Sequence, residues 1–338
     1  MILAGDIGGT KCNLALFAES GDKLTLAFQA RIPTRDFTSF LKVLEKFLQL
    51  AKADGALKTS DRITAAGFGA AGTILDGHLH AVNIHWTTDV DSIAAYLQLQ
   101  PKNVILLNDL VATAFGIEKL SPEDFLQLNH VEPNHQANKA LIAAGTGLGE
   151  AILFWDGQRH EACASEGGAA DFSARNERGI GLLHFLKQRM PRVSCETIFS
   201  GRGFRKIHEF LDPSVRHPVF EDPYADSAPE ITQNALNETC PICVETLDFW
   251  MDAFGAEAGN LALRVLAYGG VYLAGGIALK ILPKLKTSTF CRSFADKAPL
   301  TTIVARIPIY VILNEDAPIL GAAHKAFATV NRNIRVSA

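Results

Sequence analysis

The stretch Leu3–Phe17, LAGDIGGTKCNLALF, restricts the possible folds more than any other part of the chain. An apolar segment runs into Asp6, then Gly8, Gly9, Thr10 and Lys11, and an apolar segment resumes at once. The glycine turns of dinucleotide-binding and P-loop folds lead directly into a helix, whose N-terminus holds the anion. Here Asn13 and Ala15 alternate with Leu14 and Leu16, which is strand periodicity. The turn is therefore the tip of a β-hairpin. A second turn of the same kind, AAGTGLGEAILFW, carries Gly145, Thr146 and Gly147 and runs on to an Asp156-Gly157 hairpin signal. It also lacks the helix that a GxGxxG site requires, and no GxxxxGK[ST] occurs.

The pattern around each turn repeats. Strands are expected at 2–7, 12–18 and 24–31. Phe37, Phe40, Leu41, Leu44, Phe47, Leu48 and Ala51 then mark a helix, capped by Thr34 or Asp36 and ended by Gly55. A strand at 63–70, a short hairpin at Asp76-Gly77, a helix near 89–98, a strand at 103–107 and a helix after Asn108-Asp109 complete the first half. The second half has three strands from Lys139 to Cys163, helices over much of 177–211 and 230–268, and a strand at 271–274 ending in Gly275-Gly276. A helix, a strand at 308–313 and a final helix from about 317 follow. The fold class is α/β: two βββαβαβα units, each a mixed sheet with helices packed on it, facing a cleft. Residues 1–108 plus about 318–338 are expected to form a small domain and 109–317 a large one. The segment 212–229, with Pro213, Pro218, Pro223 and Pro229, reads as a surface excursion.

Composition excludes several classes. A chain of 338 residues suits two domains. A net charge of -4 offers no basic stripe for nucleic acid. The first apolar run is broken by Asp6 and has no basic start, so it is not a signal peptide. The least polar stretch, between Arg264 and Lys280, is shorter than a membrane span and carries four glycines (269, 270, 275 and 276). Six cysteines without a secretory signal read as reduced thiols in a cytoplasmic protein. Cys240 and Cys243 form the one pair at metal or redox spacing. A single CxxC supplies only two ligands, and the ten histidines show no metal-type cluster. The pair reads as ordinary thiols near a helix start, the other reading being a reversible disulfide.

Glycines at a hairpin tip let backbone N–H groups approach phosphate oxygens closely. The hydroxyls of Thr10 and Thr146 add hydrogen bonds and Lys11 adds charge, so two opposed tips can clamp a triphosphate. Asp6 cannot face phosphate without a cation, and its natural role is to hold Mg²⁺ through water. Asp109 follows an apolar strand and heads a helix, where it can be a general base or a helix N-cap. Glu166 precedes Gly167-Gly168, where backbone can approach a sugar ring, and Glu196 alone reads as a solvated helix residue.

The ordered motifs GDIGGTK, LLNDLVATAFG, GTGLGEA, ASEGG, VSCETIFSGRGF and YLAGGI resemble those of bacterial glucokinases, of the hexokinase-type family in the actin/hexokinase superfamily. The resemblance covers nearly the whole chain, and the zinc-binding cysteine cluster of the repressor-like sugar-kinase family is absent. It implies two actin-like (ribonuclease H-like) domains and ATP-dependent, Mg²⁺-assisted phosphorylation of a hexose at its 6-hydroxyl, glucose to glucose 6-phosphate. It also implies a homodimer. By resemblance, residues 6–11 and 145–149 are the phosphate motifs and Gly275-Gly276 lies beside the adenosine. Asn108 and Asp109 open the connecting helix, with Asp109 as base. Glu166 and Glu196 hold sugar hydroxyls. Read from the residues, Asn83 in AVNIHWTTD is a further candidate sugar contact, and Trp86 reads as packing for that loop.

One position departs from the family. Its members read Glu-Gly-Gly-His where this chain has Glu166-Gly167-Gly168-Ala169. A kinase for another hexose is therefore an alternative, as is a non-catalytic sugar sensor on the same scaffold. A sensor of that kind carries a DNA-binding segment, and only about five residues precede the first phosphate motif. A partner-moving ATPase would need an extension for which the chain has no room. Retention of Asp109 favours catalysis.

Overall fold

The computed structural model describes every residue except Asp22, Val82, Asn83, Pro223, Tyr224, Ser288, Ser337 and Ala338, with side chains described to Val330. The chain divides into two units, Met1–Ser121 with Asn314–Ala338, and Pro122–Leu313.

The first unit begins with β1 (Ile2–Ile7), β2 (Lys11–Ser20) and β3 (Lys23–Pro33), an antiparallel meander. Helix α1 (Phe40–Asp54) leads to β4 (Ala65–Ala70), and the small hairpin β5 (Thr73–Leu75) and β6 (His78–His80) turns at Asp76-Gly77. Helix α2 (Val90–Leu97), strand β7 (Val104–Asn108) and helix α3 (Asp109–Ile117) follow. The sheet order is β3-β2-β1-β4-β7. Strands β4 and β7 join it in parallel because each arrives through a helical crossover. Ser39 caps α1, its hydroxyl accepting from the Lys42 amide at 3.4 Å. Thr34 and Asp36, expected as caps, lie in a 3₁₀ turn just before it. Gly55 ends the helix at φ 81°. Phe40, Val43, Leu44 and Phe47 of α1 pack with Leu3, Ile7, Leu14 and Phe68 on one face of the sheet, and Trp86 stacks on Phe40 at 5.8 Å.

The second unit opens with β8 (Phe125–Gln127), then β9 (Lys139–Ala144), β10 (Leu148–Trp155) and β11 (His160–Ser165). Helices α4 (Glu177–Lys187), α5 (Cys195–Phe199), α6 (Gly201–Leu211), α7 (Ala228–Leu236) and α8 (Pro241–Val265) come next. Strand β12 (Val271–Ala274) is followed by α9 (Gly276–Lys280), α10 (Leu282–Leu285), α11 (Phe290–Ala295) and α12 (Thr301–Val304), and β13 (Ile309–Ile312) closes the unit. The sheet order is β11-β10-β9-β12-β13-β8. Its first five strands repeat the order and directions of the first unit. The added edge strand β8, antiparallel to β13, was not expected from the sequence. The long α8 anchors the core: Trp250 stacks on Phe254 at 4.5 Å and on Phe204 at 5.1 Å. The segment 212–229 is less of an excursion than its prolines suggest. It contains a 3₁₀ turn at Pro218–Glu221, and Phe220 and Ser227 are buried.

The last helix, α13 (Ala317–Val336), returns to the first unit. Ile319, Ala322, Ala323, Ala326 and Phe327 cover the sheet face lined by Ile2, Ala4, Ala15 and Phe17. This packing moves the domain boundary from the expected 108/109 to 121/122 and includes all of α13. Helix α3 belongs with the first unit because it lies against α13 at backbone distance. A methyl group at Gly321 would overlap the Ala112 carbonyl, and one at Gly116 would overlap that of Ala317.

Candidate functional site

In the first unit the glycine turn links β1 to β2. The Gly8 amide donates to the Lys11 carbonyl at 3.0 Å. Thr34 braces the turn from β3's end: its hydroxyl donates to the Gly8 carbonyl at 2.7 Å and its amide to that of Thr10 at 2.9 Å. Thr10 and Lys11 are exposed, and Gly8 and Gly9 are half-buried. Asp6 sits on β1 opposite Asn13 of β2 and Gly69 of β4. Burial, and then the charge of Asp109, push its carboxyl up to about 7, with Lys11 pulling the other way. The structure thus brings Asp6, Lys11 and Asp109 into one electrostatic neighbourhood.

Helix α3 begins where β7 ends, and the capping residue is Asn108, not Asp109. The Asn108 Oδ1 accepts from the Leu110 and Val111 amides at 2.9 and 3.3 Å, and its Nδ2 donates to the Gly72 carbonyl at 3.1 Å. These bonds fill both acceptor sites of Asn108 and leave one N–H for another partner. Asp109 occupies the first helical position, half-buried, with Oδ1 accepting from the Leu110 amide at 2.9 Å. Asn83 lies outside the described residues.

In the second unit the turn between β9 and β10 is closed by the Gly145 amide donating to the Gly147 carbonyl at 2.9 Å, with Thr146 exposed. The Gly145 carbonyl accepts from the Gly201 amide at 2.8 Å, tying the turn to α6. Glu196, on α5, reaches this turn: its Oε2 accepts from the Leu148 amide at 3.0 Å and lies beside Gly147. Glu196 is exposed, as a solvated helix residue would be, yet its carboxylate is anchored. Glu166 is exposed at the end of β11, where Gly167–Ala169 form a 3₁₀ turn. Gly168 presses on the Leu148 carbonyl so closely that any side chain there would overlap it. Three sequence motifs therefore meet on one strand end. Ala169 is exposed, and its carbonyl accepts from Arg192 Nη2 at 2.7 Å. Gly275, at φ 86°, and Gly276 are exposed at the end of β12, beside the Ala144 end of β9.

Two features escaped the sequence. Glu150 and Glu257 are 2% and 3% exposed, and Arg264 lies 4.0 Å from the first and 3.0 Å from the second. Burial, and then Glu257, push the Glu150 carboxyl up to about 7. Its Oε2 stands directly behind Gly167, so this acidic pair underlies the Glu166 loop. The second feature corrects the expectation that no Cys/His set completes the CxxC. His208, His217, Cys240 and Cys243 converge, their ligand atoms all within 4.8 Å of one another.

The chain matches the family model described as Glucokinase over residues 3–329. It is 34% identical to the glucokinase of Nostoc sp. over 96% of this chain and 98% of that one. Among solved structures, the glucokinase from an Antarctic psychrotroph superposes with a TM-score of 0.83 at 26% identity, covering 97% of this chain and 98% of that one. A ROK family glucokinase from Streptomyces griseus, in complex with glucose and AMPPNP, shares the fold with a TM-score of 0.62 at 18% identity, covering 97% and 99%. None of the described helices is long and apolar enough to cross a membrane. The duplicated sheet, its two glycine turns and these likenesses agree: the chain belongs to the glucokinase family and is a hexose kinase.

Proposed function

We propose that this kinase transfers the γ-phosphoryl group of ATP to the 6-hydroxyl of glucose, with Asp109 as the general base. The observation that carries the reading is the same glycine turn at the same place in two sheets of the same strand order, each accompanied by carboxylates. Phosphoryl transfer to an alcohol requires positioning, charge neutralisation and a group that accepts the hydroxyl proton. The two turns, Gly8–Lys11 and Gly145–Gly147, offer backbone N–H groups, two threonine hydroxyls and the Lys11 ammonium to the phosphates. Gly275-Gly276 offers a side-chain-free surface to the nucleoside.

Asp6 fits Mg²⁺. A half-buried carboxyl lifted to about 7 beside a second carboxylate is one that a divalent cation would hold ionised. When bound, Mg²⁺ supplies neutralisation of phosphate charge. Asp109 accepts the sugar proton. Asn108, by capping α3, holds that carboxylate at the first helical position and retains one N–H for a sugar oxygen. In the second unit Glu166 and Glu196 accept hydrogen bonds from sugar hydroxyls. Glu196 is already oriented by the Leu148 amide, so less side-chain freedom is lost on binding. The Streptomyces griseus protein of the same fold, solved with glucose and AMPPNP, is consistent with this pairing of substrates. The family reading also makes the protein a cytoplasmic homodimer, which light scattering on the purified chain tests for its oligomeric part.

A coupled ADP-release assay across glucose, mannose, fructose, N-acetylglucosamine and no sugar tests the proposal. Turnover should require sugar and show its highest kcat/KM with glucose. Asp109→Ala should lower kcat by about 10²–10⁴-fold with little change in the KM for ATP. ATP turnover without sugar, or wild-type kcat in Asp109→Ala, overturns the assignment. A higher kcat/KM for another hexose would move the substrate, with Ala169 as the reason.

A further inference from the structure

We infer that His208, His217, Cys240 and Cys243 form a structural zinc site that ties the proline-rich segment 212–229 to the start of α8. The four residues come from three places. His208 lies in the last turn of α6, His217 in the connection that follows, and Cys240 and Cys243 at the start of α8, where Cys240 is the N-cap and Pro241 the first helical residue. Nothing in the phosphate or sugar motifs requires them.

The geometry is that of a ligand set. His217 Nε2 lies 3.2 Å from Cys243 Sγ and 3.7 Å from Cys240 Sγ. The rings of His208 and His217 meet edge to face at 5.1 Å. Four ligands held tetrahedrally on zinc lie about 3.3–3.8 Å apart, given bond lengths of about 2.0–2.3 Å. The observed cluster, within 4.8 Å throughout, needs only a small contraction to reach that arrangement. Two thiolates and two imidazoles with no open position are a zinc donor set of the closed, structural kind.

The surroundings support the same assignment independently. His208 is fully buried, and neither ring nitrogen has a hydrogen-bond partner among the described residues. A buried imidazole left this way is costly, and coordination to a metal satisfies one nitrogen. Glu230 Oε1 stands 3.6 Å from His217 Nδ1, the carboxylate–histidine pairing that orients a metal-bound imidazole. The Cys243 amide donates to Cys240 Sγ at 3.4 Å, a bond that favours the thiolate.

Zinc content of the full chain, expressed with zinc and dialysed without chelator, should be about one per molecule. Replacing zinc by cobalt should give thiolate-to-cobalt charge-transfer absorption and the intense d–d bands of a tetrahedral site. Cys243→Ser and His208→Ala should lose both. Cys240→His, which preserves four ligands, should retain zinc. Glu230→Gln should bind zinc about 10–100-fold more weakly with the cobalt spectrum unchanged in form. These readouts do not depend on kinase activity, and the wild-type measurements stand even if a variant fails to fold. Zinc near zero in the wild type, an octahedral cobalt spectrum, or a stoichiometric Cys240–Cys243 disulfide by mass overturns the site.

Discussion

Glu150→Gln should remove a pH dependence of stability that the second unit carries. Glu150 is 2% exposed on β10, faces the equally buried Glu257, and shares with it a single, half-exposed arginine, Arg264. Its carboxyl has a folded value of about 7 against 4.5 for the free group. The raised value means that the folded state holds the proton more tightly than the unfolded state. The stability this contributes is fully present below the unfolded value and is lost as pH rises through the folded one. A shift from 4.5 to about 7, at about 1.36 kcal/mol per unit, corresponds to a loss of about 2–3 kcal/mol between about pH 5 and about pH 8. Glutamine is neutral throughout, so its stability relative to wild type should climb by that amount over the same range. Urea denaturation of both proteins at several pH values measures it. A Trp86→Phe background leaves Trp155 and Trp250, both in the second unit, as the fluorescent reporters. Because only the change of the difference with pH is read, any constant cost of the amide cancels. Parallel stability curves would refute the raised carboxyl of Glu150. Since Glu150 stands behind Gly167, the same variant should also flatten any alkaline fall in sugar affinity.

Glu166→Gln and Glu196→Gln should each raise the KM for sugar more than that for ATP; a larger rise for ATP would place these carboxylates on the wrong substrate. Ala169→His introduces, at an exposed position, the imidazole that the Glu-Gly-Gly-His resemblance implies, and should lower the KM for glucose by about 2–13-fold. An unmoved or higher glucose KM would show that the loop is misaligned or that glucose is not the sugar. Gly321→Ala forces a methyl group against the Ala112 carbonyl and should destabilise the first unit by about 1–3 kcal/mol, read by loss of Trp86 burial on denaturation. Unchanged stability there would mean that α3 and α13 have room to separate.

The two meanders, α1 and α13 were legible because each carries its period within a dozen residues. Helix α3 was legible as a helix but not as part of the first unit. Leu110, Val111, Ala112, Ala114 and Ile117 make it apolar on most sides, so no stripe indicates which neighbour it faces. Its partner is distant in sequence, and the contact runs through glycine backbone rather than side chains. Strand β8 is three residues long and pairs with β13 at the sheet edge, too short for alternation to register. The two glycine turns and the carboxylates Glu166 and Glu196 were visible as candidates because their motifs are compact. The acidic pair was not: Glu150 follows the glycine turn as an ordinary strand residue and Glu257 sits mid-helix in α8. Cys240 and Cys243 announced a pair, but His208 and His217 lie on another helix and a loop, at a spacing that matches no familiar finger.

The return of α13 to the first unit has a consequence for how the chain is made. Ribosomes release the segment Met1–Ser121 long before Ala317 emerges, and until then one face of its sheet has no cover. The second unit, by contrast, is continuous in sequence and can close its core as soon as β13 is complete. Biosynthesis therefore reverses the usual order, in which the N-terminal part matures first. The earliest residues to appear, including Asp6 and Asp109, are among the last to reach their final setting. A nascent chain stalled before α13 would expose Ile2, Ala4, Ala15 and Phe17 as an apolar face, so the solubility of a truncated chain should hinge on this one helix.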